Sequence, residues 1–168
     1  MAKHTITLKS YTDVFNEYDA VSAITPGMLI EYTSAGKVQA HSNAGQNAFP
    51  MFAIEDALQG KDIDEAYAAN DKVRCWHAQP GDEVYAILND GETIVKGDFL
   101  ESAGNGNLQK HVADIAEGGS SAETVTDTTI YSKQIVAQAL EAMDLASSSG
   151  EESSGPLGYD KRIKVRIV

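Results

Sequence analysis

One pattern occurs twice, and it constrains the fold more than anything else in the chain. Residues 24–41 read ITPGMLIEYTSAGKVQAH, and residues 94–111 read IVKGDFLESAGNGNLQKH. The two align without a gap at a spacing of 70 residues. Identities fall at Ile24/Ile94, Gly27/Gly97, Glu31/Glu101, Gly36/Gly106, Gln39/Gln109 and His41/His111. Each copy is a glycine, a short apolar run, a polar glycine turn and a second short strand. That is a β-hairpin used twice, and a hairpin with one apolar face must bury it against another sheet.

The segments around the hairpins support a mainly β chain. Residues 71–77 and 83–88 read as strands joined through Gln79-Pro80-Gly81-Asp82. Asn89-Asp90-Gly91 carries the strongest hairpin-turn chemistry, because these residues tolerate positive φ. FAIEDAL follows the first hairpin and IVAQALEA lies beyond the second, and both are assigned as strands. The last strand alternates, with Ile163, Val165 and Ile167 on one face and Arg162, Lys164 and Arg166 on the other. His4–Leu8 alternates as a further strand.

One short helix is expected, and a second segment has helical spacing. Asp62-Ile63-Asp64-Glu65 resembles a capping box, which predicts a short helix over Asp62–Asn70. Tyr11, Phe15 and Tyr18 lie close to helical spacing in an N-terminal arm, with Thr12 or Asp13 as a cap. The fold expected is two related β-hairpin-based units forming a small barrel or sandwich, with one short helix at Asp62–Asn70 and an extended N-terminal arm. The divisions are residues 1–23 for the arm, 24–91 for the first unit and 92–168 for the second. Residues 112–129 and 147–158 are rich in Gly, Ser, Thr and Glu and read as loops.

Charge narrows the partners. Thirteen Lys and Arg face 25 Asp and Glu, a formal net charge of −12. Such a surface repels nucleic acid and anionic membranes. Four of the cations lie in the last eight residues, KRIKVRIV, so a basic strand ends an acidic body. One cysteine, Cys75, cannot form an internal disulfide and is expected to be buried. No apolar run reaches the length of a membrane span, and the N-terminus lacks a signal-peptide core. The expected setting is a cytoplasm, or a particle assembled there.

Catalytic chemistry finds no foothold. Cys75 and His77 are the only closely spaced metal-ligating pair, and no second pair completes a zinc site. The acid pairs Glu55-Asp56, Asp82-Glu83 and Glu151-Glu152 suit an acidic surface as well as a hydrolase cleft. No P-loop, dinucleotide loop or nucleophile elbow is present. Neither a metal nor a cofactor is expected.

The stretches VFNEYDAVSAITPGMLI (14–30), MFAIEDALQGKDIDEAY (51–67), PGDEVY (80–85) and GDFLESAGNG (97–106) together resemble the small β-rich head decoration, or cement, proteins of tailed bacteriophages. These stretches are structural, and they cover 50 of the 168 residues. The resemblance implies a non-enzymatic virion protein that binds the outer capsid surface and reinforces the major capsid protein, often as a homotrimer. Alternatives are a tail, baseplate or host-binding β module, or a small acidic hydrolase or carbohydrate-binding domain. Candidate partner-binding residues are Phe15 and Tyr18 in the arm and Arg162, Lys164 and Arg166 in the tail. Trp76 is expected to be buried.

Overall fold

A computed structural model describes residues 5–9, 15–112, 131–147 and 161–168. It is built of short antiparallel strands, with one 3₁₀ turn at Ala57–Gln59. In chain order the strands are β1 (Thr7–Lys9), β2 (Phe15–Asp19), β3 (Ile30–Tyr32), β4 (Val38–Ala40), β5 (Met51–Ala53), β6 (Lys72–His77) and β7 (Glu83–Ile87). They continue with β8 (Thr93–Ile94), β9 (Phe99–Ser102), β10 (Leu108–Lys110), β11 (Ile135–Ala139), β12 (Met143–Asp144) and β13 (Arg162–Ile167). The largest sheet runs β1-β7-β13-β11-β9-β10. A three-stranded sheet runs β2-β6-β5, and β3-β4 and β12-β8 complete the set. Among the described residues no closed barrel forms. Among the described residues no helix is long and apolar enough to cross a membrane.

The twin hairpins repeat in three dimensions as well as in sequence. Ile30 opposite Ala40 and Glu31 opposite Gln39 in the first match Leu100 opposite Lys110 and Glu101 opposite Gln109 in the second. Gln39 Nε2 donates to Glu31 Oε1 at 2.8 Å, and Gln109 Nε2 donates to Glu101 Oε1 at 2.9 Å. The repeated Glu and Gln are thus a cross-strand pair.

The repeat extends past the hairpins. Gly27 N–H donates to Ala53 O at 2.8 Å, as Gly97 N–H donates to Ala139 O at 2.9 Å. This docks the first hairpin on β5 and the second on β11. Ala53 lies opposite Cys75, as Ala139 lies opposite Val165. On the far side, Ala20 pairs in parallel with Val38, as Leu88 does with Leu108. Strands β2, β6 and β5 with hairpin β3-β4 therefore form one unit. Strands β7, β13 and β11 with hairpin β9-β10 form a second unit of the same topology. Phe15–Asp19 pairs within the first unit, and Glu83–Ile87 within the second.

The core explains why these strands pack so. Ala20, Ile24, Ile30, Val38, Met51, Ala53, Val73 and Cys75 fill the first unit. A larger cluster joins the second unit to the other face of the first, where Phe52 and Trp76 lie opposite each other, both fully buried. Trp76 and Cys75 are buried as expected from the sequence. Each such side chain contributes about 1.5–3 kcal/mol by leaving water. Strand β7 is covered on both faces, so EVYAI is almost continuously apolar.

Three sequence expectations are corrected. Asp62–Asn70 is not a helix. Asp62 Oδ1 accepts from the adjacent Ile63 N–H at 2.8 Å, and Glu65 N–H donates to the Asp62 carbonyl at 3.1 Å, which makes a single turn. The chain then extends, because Tyr67 exchanges both backbone hydrogen bonds with Ile24 and its hydroxyl donates to Ile54 O at 2.8 Å. A helix of under three turns cannot outweigh such tertiary pairing. Residues 15–19 are likewise strand β2, held by β6, while residues 10–14 lie outside the described set. Asn89-Asp90-Gly91 does turn, with Gly91 at φ +79, yet β7 and β8 belong to different sheets and do not form a hairpin.

Candidate interaction surface

Four rings gather at one end of the first unit. Alternation along the strands puts Tyr18 on the face of β2 that also carries Asn16, and His77 on the matching face of β6. Tyr32 ends β3, and Phe49 precedes β5. Tyr18 meets Tyr32 edge-on with centroids 5.0 Å apart. Tyr32 and Phe49 lie 6.1 Å and 5.6 Å from the His77 ring. These are favourable aromatic separations.

The cluster is fixed by hydrogen bonds through His77. Its Nε2 accepts from the Tyr32 hydroxyl at 3.1 Å and from Asn16 Nδ2 at 3.2 Å. Accepting at Nε2 requires a neutral ring with its proton on Nδ1. Partial burial lowers the His77 pKa, which favours this state. Burial first, and then the hydrogen bond with Tyr18, push Tyr32 up to about 12. Tyr32 therefore keeps the proton it donates.

Although fixed, these rings are open to solvent. Tyr32 is 48% exposed and Phe49 is 52% exposed. Phe49 divides two clefts. One, of about 160 Å³, is lined by Ile30, Glu31, Tyr32, His41 and Met51. The other, of about 450 Å³, is largely apolar and lined by Pro50, Ala78, Pro80, Ile135 and Val168. Rigid exposed aromatics beside apolar clefts are the composition of a protein-binding surface.

The charged groups nearby are structural. Partial burial raises the Glu31 carboxyl, but hydrogen bonds from Ser42 and Gln39, with His41 alongside, outweigh it and hold it below the usual range. His111 Nδ1 and Glu101 Oε2 lie 2.6 Å apart in the second unit. Among the acid pairs named from sequence, Glu55 accepts from Thr5 Oγ1 and the Ile6 N–H, and Asp82 accepts from the Gln79 N–H. Glu151 and Glu152 lie outside the described residues. No three His, Cys, Asp or Glu among the described residues are grouped to hold a metal. Burial pushes the Cys75 thiol up to about 12, far from a reactive thiolate.

The residues picked from sequence are dispersed. Phe15 and Tyr18 point to opposite faces of β2, because they are three apart on a strand. Tyr18 joins the aromatic cluster. Phe15, 40% exposed, packs 6.5 Å from Trp76, with the Arg74 guanidinium 5.9 Å from its ring. Arg166 reaches Glu83 at 2.9 Å and Lys164 lies 4.0 Å from Glu141, both partly open to solvent. Arg162 differs. It is 2% exposed, ion-paired to Asp64 at 2.7 Å, and donates to the carbonyls of Pro26 and Ile63. Its guanidinium ties β13 to the first unit and is not presented to a partner. Sequence reading passed over Tyr32 and Phe49. The signal was in the repeat itself, because Tyr32 stands where the second hairpin has Ser102.

Comparison with known proteins adds one fold relationship. No family model matches the sequence, and none of the curated proteins matches it. Among solved structures, the chain is similar to the N base of the head fibre gp8.5 of bacteriophage phi29. The TM-score is 0.52 at 12% sequence identity, over 94% of this chain and 95% of that one.

Proposed function

We propose that this chain is a non-enzymatic structural protein of a bacteriophage virion that binds the outer surface of the capsid and stabilises it. The observation that carries the reading is the fold shared with a phage head-fibre base over 94% of the chain. The composition of the surface agrees with it. Fixed aromatics flank apolar clefts, and the polar groups around them are engaged in internal hydrogen bonds. An acidic body keeps such a protein soluble at high copy number.

The partner is the major capsid protein, and the chain acts as a homotrimer assembled in the host cytoplasm and carried on the virion. Phe15, Tyr18, Lys164 and Arg166 are the proposed capsid contacts, because their side chains remain wholly or partly open to solvent. Arg162 leaves the set, because its guanidinium is buried.

Co-sedimentation with purified capsids lacking the protein tests the reading. Wild-type chain pellets with capsids and raises the temperature at which they release their genome. The Phe15→Ala/Lys164→Glu/Arg166→Glu variant stays folded and binds at least tenfold more weakly. A folded wild-type protein that never pellets with capsids refutes the function. Unchanged binding by the triple variant refutes the contact residues.

A further inference from the structure

We infer that copies of this chain associate head to tail, with the first unit's aromatic hairpin face of one copy docking on the second unit of the next. The argument is that the chain already contains one such interface, between its own two units, and that the described residues at the matching positions, Tyr32 and Phe49 on the first unit and Phe99 on the second, are exposed.

Within the chain, the tip of the second hairpin inserts into the first unit. Leu29 N–H donates to Gly106 O at 2.7 Å, and Gly106 N–H donates to His41 O at 3.1 Å. A Cβ at Gly106 would stand 3.0 Å from Ala40 Cβ. His41 Nδ1 bonds the Ser102 hydroxyl at 2.8 Å, and Gly45 N–H donates to Ser102 O at 2.9 Å. Ala48 N–H donates to Lys133 O at 3.0 Å, which closes the same side of the second unit. The docking surface of the second unit is its hairpin, and the receiving surface of the first is Met28–Leu29 with Ala40–Ala48.

The repeat supplies the counterpart of each surface. Tyr32, Gly36 and Phe49 of the first unit correspond to Ser102, Gly106 and Ile135 of the second. Ser102 and Gly106 are buried and Ile135 is half-buried, whereas Tyr32, Gly36 and Phe49 are exposed. In the same way, Leu29 and Ala40 of the first unit correspond to Phe99 and Lys110 of the second. Leu29 is fully buried, but Phe99 is 46% exposed, and Val112 just beyond is 72% exposed. Each unit therefore exposes an apolar surface whose repeat is covered in the other.

The contact is also of the kind that propagates. Were the two units related by a two-fold axis, the contact of Gly106 with Leu29 would require a matching contact of Gly36 with Phe99. A Cβ at Gly36 meets nothing within 4 Å among the described residues. The interface is therefore heterologous, and its repetition joins one copy to the next, closing into a ring if the rotation allows. Tyr32 and Ser34 replace Ser102 and Gly104, so the neighbouring copy rests on larger side chains than the first unit does. This inference deepens the proposed homotrimer and rests on it for self-association, whereas capsid binding can hold or fail separately.

Crosslinking tests it. Ala35 and Lys110 flank the predicted contact, and Cys75 is buried and does not compete. The Ala35→Cys/Lys110→Cys variant treated with a short bis-maleimide gives a ladder of linked copies, and each single-cysteine variant gives none. Light scattering shows the wild type above monomer mass. Phe99→Asp brings it to monomer mass with an unchanged circular-dichroism melt. Wild type that remains monomeric at high concentration overturns the inference, even if it binds capsids. Dimers from either single-cysteine variant overturn it too, because they demand a two-fold contact.

Discussion

Replacing Arg162 by methionine tests the tie between the two units most directly. Arg162 is 2% exposed, and the engagements of its guanidinium include three: Asp64 Oδ1 at 2.7 Å, Ile63 O at 2.6 Å and Pro26 O at 3.1 Å. Methionine keeps the bulk of the stem and removes all three. Breaking a buried ion pair costs about 3–5 kcal/mol, and each buried carbonyl left without a donor costs about 1–3 kcal/mol. Asp64 is 27% exposed, so its carboxylate regains water once the partner is gone. That places the total near the lower end, at about 3 kcal/mol. For a chain of this size the midpoint should fall by roughly 6–12 °C. Urea unfolding followed by the fluorescence of buried Trp76 measures the loss. Asp64→Asn should cost about 1 kcal/mol, because the two carbonyls keep their donor. Lys164→Met on the same strand should stay within about 0.5 kcal/mol. The reasoning fails if Arg162→Met costs under about 1 kcal/mol, or if Asp64→Asn costs as much as Arg162→Met.

Three further outcomes follow from the same geometry. Glu101→Ala should destabilise more than Glu31→Ala, by about 1 kcal/mol, because Glu101 is 5% exposed and holds both Gln109 and His111; equal losses in paired thermal melts would contradict this. His77 has a folded pKa below its unfolded value of 6.5. The unfolded chain therefore binds the extra proton first, and stability falls as pH drops below 6.5 until the folded pKa is passed. A histidine-to-glutamine variant at position 77 should lose that slope, read from denaturation midpoints between pH 7 and pH 5. Cys75 should react with a thiol reagent at pH 8 only as fast as the chain unfolds, since burial has pushed its pKa up to about 12. Rapid labelling of native protein would place it at the surface.

The hairpins were legible because their determinants are local. Gly27, Gly36, Gly97 and Gly106 all adopt positive φ, which glycine alone takes without strain. Gln39 and Gln109 each reach a glutamate on the adjacent strand. Period-two alternation likewise marked β13 as half buried, and residues 83–88 read as the strand that forms β7. Duplication was visible in the same way, since equal spacing in sequence produced equal register in the sheets.

What the sequence could not decide was settled by partners distant along the chain. A turn forms at Asp62, yet Tyr67 is drawn into pairing with Ile24, a residue on a different element. Arg162 has the same chemistry as Arg166 and alternates with it, but only the first lies against Asp64 and two carbonyls. Phe15 and Tyr18 separate because β6 makes their segment a strand. Local residue types determined that this chain forms paired β units. Tertiary packing determined which of the two hairpins is buried and which stands open, because burial depends on the position of the neighbouring unit as well as on small residues such as Gly104, where a Cβ would stand 2.8 Å from Ala44 N.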